Sequence, residues 1–254
     1  MSRPSIPSFG ATSGAIPSIR PRPSSFNLAR VSGGRTDAPT VAIPRNSIVF
    51  SSPGLTQPLG ELAPDEEPAN AVRVKGINFL SCLDAVQRLY GPLARVRIEK
   101  ETPGEVGDAL KFGGIVVGGW YRASWYRAFW RSVAKELDLD ELGARHLGYK
   151  ATSLGVSSAY RTLAKMTNPE MLVVMASRAF GFFFDRGQLL VKQPEPHHLT
   201  AEFTQCVGFD SLIWNEILGG AIYFLEAAGA TQVDINVAGG GGNAAWMLVH
   251  AKYR

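Results

Sequence analysis

The chain has 254 residues, 45% hydrophobic and 19% charged, which supports one good core or two small ones and fits neither a fibrous nor a disulfide-stapled protein. Its net charge of +4 is unevenly held: residues 1–60 carry six arginines against Asp37 alone, a net of +5, and the rest is at −1. A near-neutral body lacks the basic face of a nucleic-acid reader, and no run of about 18 apolar residues offers a membrane span.

Residues 1–70 predict an extended or disordered arm ending in an acidic linker at Asp65, Glu66 and Glu67. Eleven of the sixteen prolines fall in residues 1–68, and such a segment buries too little apolar surface to offset its ordering entropy. Single apolar anchors recur along it: Ile6, Phe9, Ile16, Ile19 and Phe26, interleaved with Arg20, Arg22 and Arg30. Ile-Pro-Ser occurs at 6–8 and again at 16–18. Proline pre-sets an extended backbone, so less entropy is lost on docking. The arm therefore reads either as a segment that grips a protein partner or a neighbouring subunit, or as a plain flexible tail. The N-terminus has Pro and Ser where a signal peptide needs an apolar stretch. Cys82 and Cys206 stand far apart in apolar settings and read as free buried thiols. The expected compartment is the cytoplasm.

Residues 71–254 predict a single α+β domain. Val72 to Gly76 is a short strand or lead-in. Ser81 to Tyr90 is a helix with Phe79, Leu83 and Val86 on one face, stopped by Gly91-Pro92. Residues 93–119 give a short helix, a Pro103-Gly104 break and a glycine-spaced apolar turn. Trp120 to Leu137 is expected as one helix, with Arg127, Arg131 and Lys135 as a basic stripe. Helix continues over 140–166 with a break at Gly148, and a further helix starts at Asn168-Pro169-Glu170 and runs to about Phe180. Phe182 to Phe184, the turn Asp185-Arg186-Gly187 and Gln188 to Lys192 form an expected hairpin. His198 to Val207 is a strand. Asp210 caps a helix apolar nearly all round, ended by Gly229. Two last strands follow, Gln232 to Ala238 and Ala244 to Tyr253. Helices first and an antiparallel sheet later, carrying one long buried helix, make an α+β fold.

Gly76-Ile-Asn-Phe79 before the first helix, Leu89-Tyr-Gly91 closing it, the Trp120–Trp130 segment, Leu147-Gly148 and the terminal helix–Gly229–strand–strand unit resemble a domain family of unknown function expanded as paralogues in myxobacteria. That resemblance covers about residues 72–254. It implies a fold similar to haem–nitric-oxide sensor domains, 4-vinyl-reductase-type domains and Golgi transport-particle subunits. Some of these hold a small or greasy ligand and others are assembly subunits, so fold analogy leaves the role open.

Sites for chemistry are sparse. Tyr121, Ser124 and Arg127 have the residue types of the haem-propionate clamp that the resemblance brings to mind, at the wrong spacing, and of the four histidines only His146 lies in a helical pattern. No haem or other cofactor is therefore expected. His197 and His198 are adjacent in extended chain and point apart, so no metal is expected. Gly239 to Gly242 follows a strand but precedes another strand, not the helix an anion site needs. Ser157, Ser158 and Ser177 lack an elbow motif, and neither cysteine has an activating charge nearby. No catalytic residue is assigned, and the chain is expected not to be an enzyme. Trp120, Arg122, Trp125, Arg127 and Arg131 bring aromatics and cations together on one expected helix. They read as core packing with solvated arginines, as a protein interface, or as a stacking platform for single-stranded nucleic acid.

The leading expectation is a non-enzymatic adaptor or assembly subunit whose arm docks on a partner or on its own copies. The alternatives are a sensor domain for a small apolar ligand, and weak, salt-sensitive nucleic-acid binding through the arm.

Overall fold

A computed structural model describes residues 67–155 and 169–254, all within one compact unit spanning Gly54–Arg254. The anchors Ile6 to Arg30 lie outside the described residues, as do Ser157 and Ser158. The described elements are β1 (Arg73–Lys75), α1 (Gly76–Tyr90), α2 (Pro92–Glu101), α3 (Gly104–Lys111), β2 (Trp120–Arg122), α4 (Ala123–Leu137), α5 (Glu141–Gly155) and α6 (Pro169–Phe183). Then come β3 (Gln188–Glu195), β4 (His198–Thr204), α7 (Ser211–Ala227), β5 (Asp234–Gly240) and β6 (Met247–Lys252). Strands β3-β4-β6-β5 form one antiparallel sheet in that order, and β1 and β2 pair as a separate two-stranded ribbon. The architecture is the expected α+β one. No helix among the described residues is long and apolar enough to cross a membrane.

Helix α1 starts five residues before the expected Ser81. The reason lies in the glycine-spaced turn after α3. Its carbonyls accept from the free N–H groups of the α1 N-terminus, Gly76 N to Gly119 O at 2.9 Å and Ile77 N to Val117 O at 3.1 Å. A helix start leaves such donors without an intrahelical partner. Gly76 is required there, because a methyl would run into the Val116 carbonyl. Tyr121 fastens the same turn: its hydroxyl accepts from Val116 N (2.8 Å) and donates to Gly114 O (2.9 Å).

Trp120 and Arg122 are not helical, contrary to the sequence pattern. They lie on β2, where Trp120 pairs with Lys75 and Arg122 with Arg73. Helix α4 begins at Ala123, and its first turn is capped from a distance. The Glu67 carboxylate accepts from Ser124 N at 3.2 Å and from Ser124 Oγ at 3.4 Å. Negative charge is favourable at this end of a helix.

Gly148 does not break α5; it lies within it. It is small because α5 and α7 cross closely. A methyl at Gly148 would overlap the Glu216 backbone, and one at Gly219 would overlap the Arg145 carbonyl. Helix α6 runs to Phe183, and Phe184 bridges antiparallel to Val74. The expected Phe182–Phe184 strand is thus a helix end. The true hairpin is β3–β4, turned at Pro196-His197 with His197 at φ 60°.

The inner sheet face contributes Phe203, Met247 and Val249 to the main core, against Trp214, Phe209, Phe180 and Phe184. Phe79, Phe129, Tyr126 and Trp130 fill the helical half. Burying a phenylalanine contributes roughly 1.5–3 kcal/mol. Cys82 and Cys206 are both buried and free.

Candidate functional site

The sequence of α7 places a carboxylate among apolar residues. Glu216 stands between Ile213 and Gly219 on a helix buried on several sides, and the residue is only 8% exposed. Its Oε2 has no hydrogen-bond partner. Burial pushes its carboxyl up to about 8, because a charge withdrawn from water is disfavoured. Near neutral pH the side chain is therefore mostly a neutral acid that can donate a hydrogen bond.

Two other buried groups lie within reach of its charge. Cys82, from α1, is pushed well up by burial and then by Glu216. Tyr126, from α4, is pushed well up by burial, by Glu216 and by Cys82. Both stay protonated, so Cys82 is a poor nucleophile. The Tyr126 hydroxyl has no partner, and neither has the Trp130 indole nitrogen one turn further along α4. The Trp130 nitrogen eases the Tyr126 shift slightly without completing a hydrogen bond. Around these groups stand aromatic walls: Phe79 meets Tyr126 edge-on at 4.7 Å and Phe129 at 5.3 Å between ring centres. The result is an apolar interior with an acid, a phenol, an indole and a thiol set into it. No charged nucleophile is prepared there.

The sequence pattern on α4 divides differently from the expected interface. Arg127 is buried, 4% exposed, and its Nη1 donates to Gly208 O at 2.6 Å. Burial lowers its pKa, while Asp210 and Glu67 offset part of that. Arg131 is exposed and reaches Asp210 at 3.8 Å. Trp125 is half-buried and stacks on Tyr121 at 5.8 Å. Arg127 and Arg131 thus tie α4 to the α7 N-terminus, Trp125 packs on β2, and exposed Arg122 lies 3.8 Å from Glu67. Trp120 lies at the surface beside a cation, since Lys75 Nζ lies 5.0 Å from its ring and 4.1 Å from that of Phe182.

A shallow cleft of about 180 Å³ opens at the start of α7, lined by Glu141, Arg145, Ser211, Asn215 and Gly241 among others. Arg145 already donates to Asn215 Oδ1 at 3.1 and 2.8 Å. Its cation is committed to the protein.

Among solved structures the chain is similar to the Fe(II) unliganded H-NOX protein from K. algicida carrying A71G, with 17% identity and a TM-score of 0.56 over 71% of this chain and 96% of that one. An H-NOX protein from S. oneidensis in the Fe(II) state matches with 12% identity and a TM-score of 0.55, again over 71% and 96%. An oxygen-binding H-NOX domain related to soluble guanylate cyclases gives 12% and 0.52, over 71% and 95%. The fold is H-NOX-like. No family model matches the chain, and no curated protein does. Of the folds that the sequence resemblance implied, the haem–nitric-oxide one is met, while the myxobacterial family itself finds no support.

An H-NOX-like fold raises the question of haem, whose iron needs a His, Cys, Met or Tyr aimed at it from within the fold. The residues here do not fit an H-NOX-type histidine ligand. His146 is exposed on α5, and His197 sits in the β3–β4 turn. His198 and His250 lie on the sheet face opposite Phe203 and Met247. Cys82 and Tyr126 do face the interior, but burial first, and Glu216 after it, opposes the ionisation a metal ligand requires.

Sequence reasoning missed Glu216. The one available signal was a lone Glu inside Ile213-Trp-Asn-Glu-Ile-Leu218, a charged residue in the middle of an otherwise apolar helix.

Proposed function

We propose that this domain binds a small ligand with an apolar body and one hydrogen-bonding end, and serves as a haem-independent sensor rather than a catalyst. The observation that carries this reading is the set of unpaired buried polar atoms at Glu216, Tyr126 and Trp130 within aromatic walls. Each unpaired buried group costs about 1–3 kcal/mol, large against a total stability of about 5–15 kcal/mol. A ligand that pairs with them recovers that cost and gains the apolar contact. The similar H-NOX structures, one of them described as an oxygen complex, support a sensing use of such a fold. The adaptor reading draws its weight from arm residues outside the described ones and from an α4 surface whose Arg127 is internal.

Native mass spectrometry of the full chain tests this. The expected result is a bound mass released on denaturation and extractable into organic solvent. Glu216→Leu should lose that mass while staying folded, since an apolar replacement of a buried polar group is tolerated far better than an unpaired one. Equal native and denatured masses, or an unchanged adduct in Glu216→Leu, would overturn the reading.

A further inference from the structure

On the outer face of the sheet, two histidines that the sequence holds 52 positions apart meet side by side. β4 and β6 pair so that Thr200 faces His250 and His198 faces Lys252. His198 is therefore the diagonal neighbour of His250 on one face. Their ring nitrogens, His198 Nε2 and His250 Nδ1, are 3.3 Å apart, and Thr200 Oγ1 is 3.4 Å from the same His250 nitrogen. On the other side, Asn236 of β5 pairs with His250.

That spacing has two physical meanings. It is a long hydrogen bond between two imidazoles. It is also the separation that two nitrogens adopt on one ion: with metal–nitrogen bonds of about 2.0–2.1 Å and tetrahedral angles, ligand atoms sit about 3.3–3.4 Å apart. We propose that His198 and His250 form a surface site for an imidazole-preferring divalent transition cation such as zinc, with the Thr200 hydroxyl alongside and water completing the shell. Imidazole suits zinc, copper and nickel.

The exchange balances without net release of a proton. In the empty pair one ring donates its N–H to the other. When the ion enters, the donor shifts its hydrogen to its far ring nitrogen, and both facing nitrogens offer a lone pair. Among the described residues no third His, Cys, Asp or Glu joins the cluster, so the site stays open to water and to an incoming ligand. Lys252 and Glu202 share this face, with opposite charges. The site is independent of the buried cluster around Glu216: it lies on the opposite side of the sheet and invokes neither Glu216 nor its ligand.

Untagged full-length chain titrated with zinc chloride against a chromophoric chelator tests the proposal, with cobalt(II) absorption as a second probe. One ion per chain is expected, together with the visible bands of four-coordinate cobalt. His250→Ala and His198→Asn should each weaken zinc binding by about tenfold or more, the lower end of what is lost even when an outer-shell partner is removed. His146→Ala and His197→Ala should leave it unchanged. If one variant fails to fold, judged by far-ultraviolet circular dichroism without metal, the other still decides. Absent stoichiometric zinc, or equal affinity in the folded site variants and the controls, overturns the site.

Discussion

Helix α7 has two sides that solve opposite problems. Toward α5 it is sealed by backbone contact, with Gly219 against the Arg145 carbonyl and Gly148 of α5 against the Glu216 backbone. Toward α1 and α4 it presents the Glu216 carboxyl to Tyr126 and Cys82, with polar atoms left unpaired. The difference teaches a division within one element. Close packing on one side fixes the position of the helix axis, and only then can the other side hold a costly acid in place. Tight interiors transmit displacement rather than absorb it.

The strongest way to break this comparison is to unseal the glycine side. Gly219→Ala puts a methyl into the Arg145 carbonyl, where neither partner is a flexible side-chain end. Overpacking of a core costs typically 1–3 kcal/mol and occasionally more, and backbone against backbone places this case at about 3 kcal/mol. Urea denaturation measures it. A loss under about 1 kcal/mol would show that the two helices can part without penalty, and that Glu216 is not held by the seam.

The acid side is broken by pH. Glu216 is raised from 4.5 to about 8 by burial, so the folded state keeps a proton that the unfolded state has released. Its contribution is fully present below the unfolded value and is lost as pH rises through the folded one. In that window the ligand-free chain should lose about 1.4 kcal/mol per pH unit from this group. Glu216→Gln cannot ionise, so the difference in unfolding free energy between the two proteins should change steadily from pH 5 to 8. A constant difference across that range would mean that the carboxyl is solvated or paired.

Much of the fold was legible because its signals are local. Gly91-Pro92, the Asp210 cap and Gly229 mark chain breaks through backbone preferences that neighbours do not alter. Residues 120–122 were misread because a helical stripe of aromatics continues through them, while pairing with β1 supplies hydrogen bonds that a period cannot reveal. Gly148 was misread for a related reason: a glycine within a helix signals either a break or a close neighbour, and its neighbour Glu216 is 216 − 148 = 68 positions away. The interior site was nearly illegible. Glu216, Cys82 and Tyr126 come from three separate helices, and His198 and His250 meet only through strand register.

A smaller effect tests whether the α7 N-terminus belongs to the sealed side or the polar one. Asp210 accepts from Ile213 N at 3.1 Å as an N-cap and also faces Arg131 at 3.8 Å. Burial raises its pKa, and that backbone bond and the Arg131 and Arg127 charges counter it. If the cap is what matters, Asp210→Ala should cost about 1 kcal/mol, the usual loss when a capping side chain is removed. Asp210→Asn keeps the acceptor and discards the charge, and should cost well under half of that. A partly exposed ion pair contributes little by comparison, and Arg127 retains its bond to the Gly208 carbonyl in either variant. Urea midpoints for the two substitutions separate these contributions. Equal losses would assign the anchoring of α7 to the charge cluster with Arg127 and Arg131, and would make the helix start, like Glu216, a place where electrostatics rather than packing sets the structure.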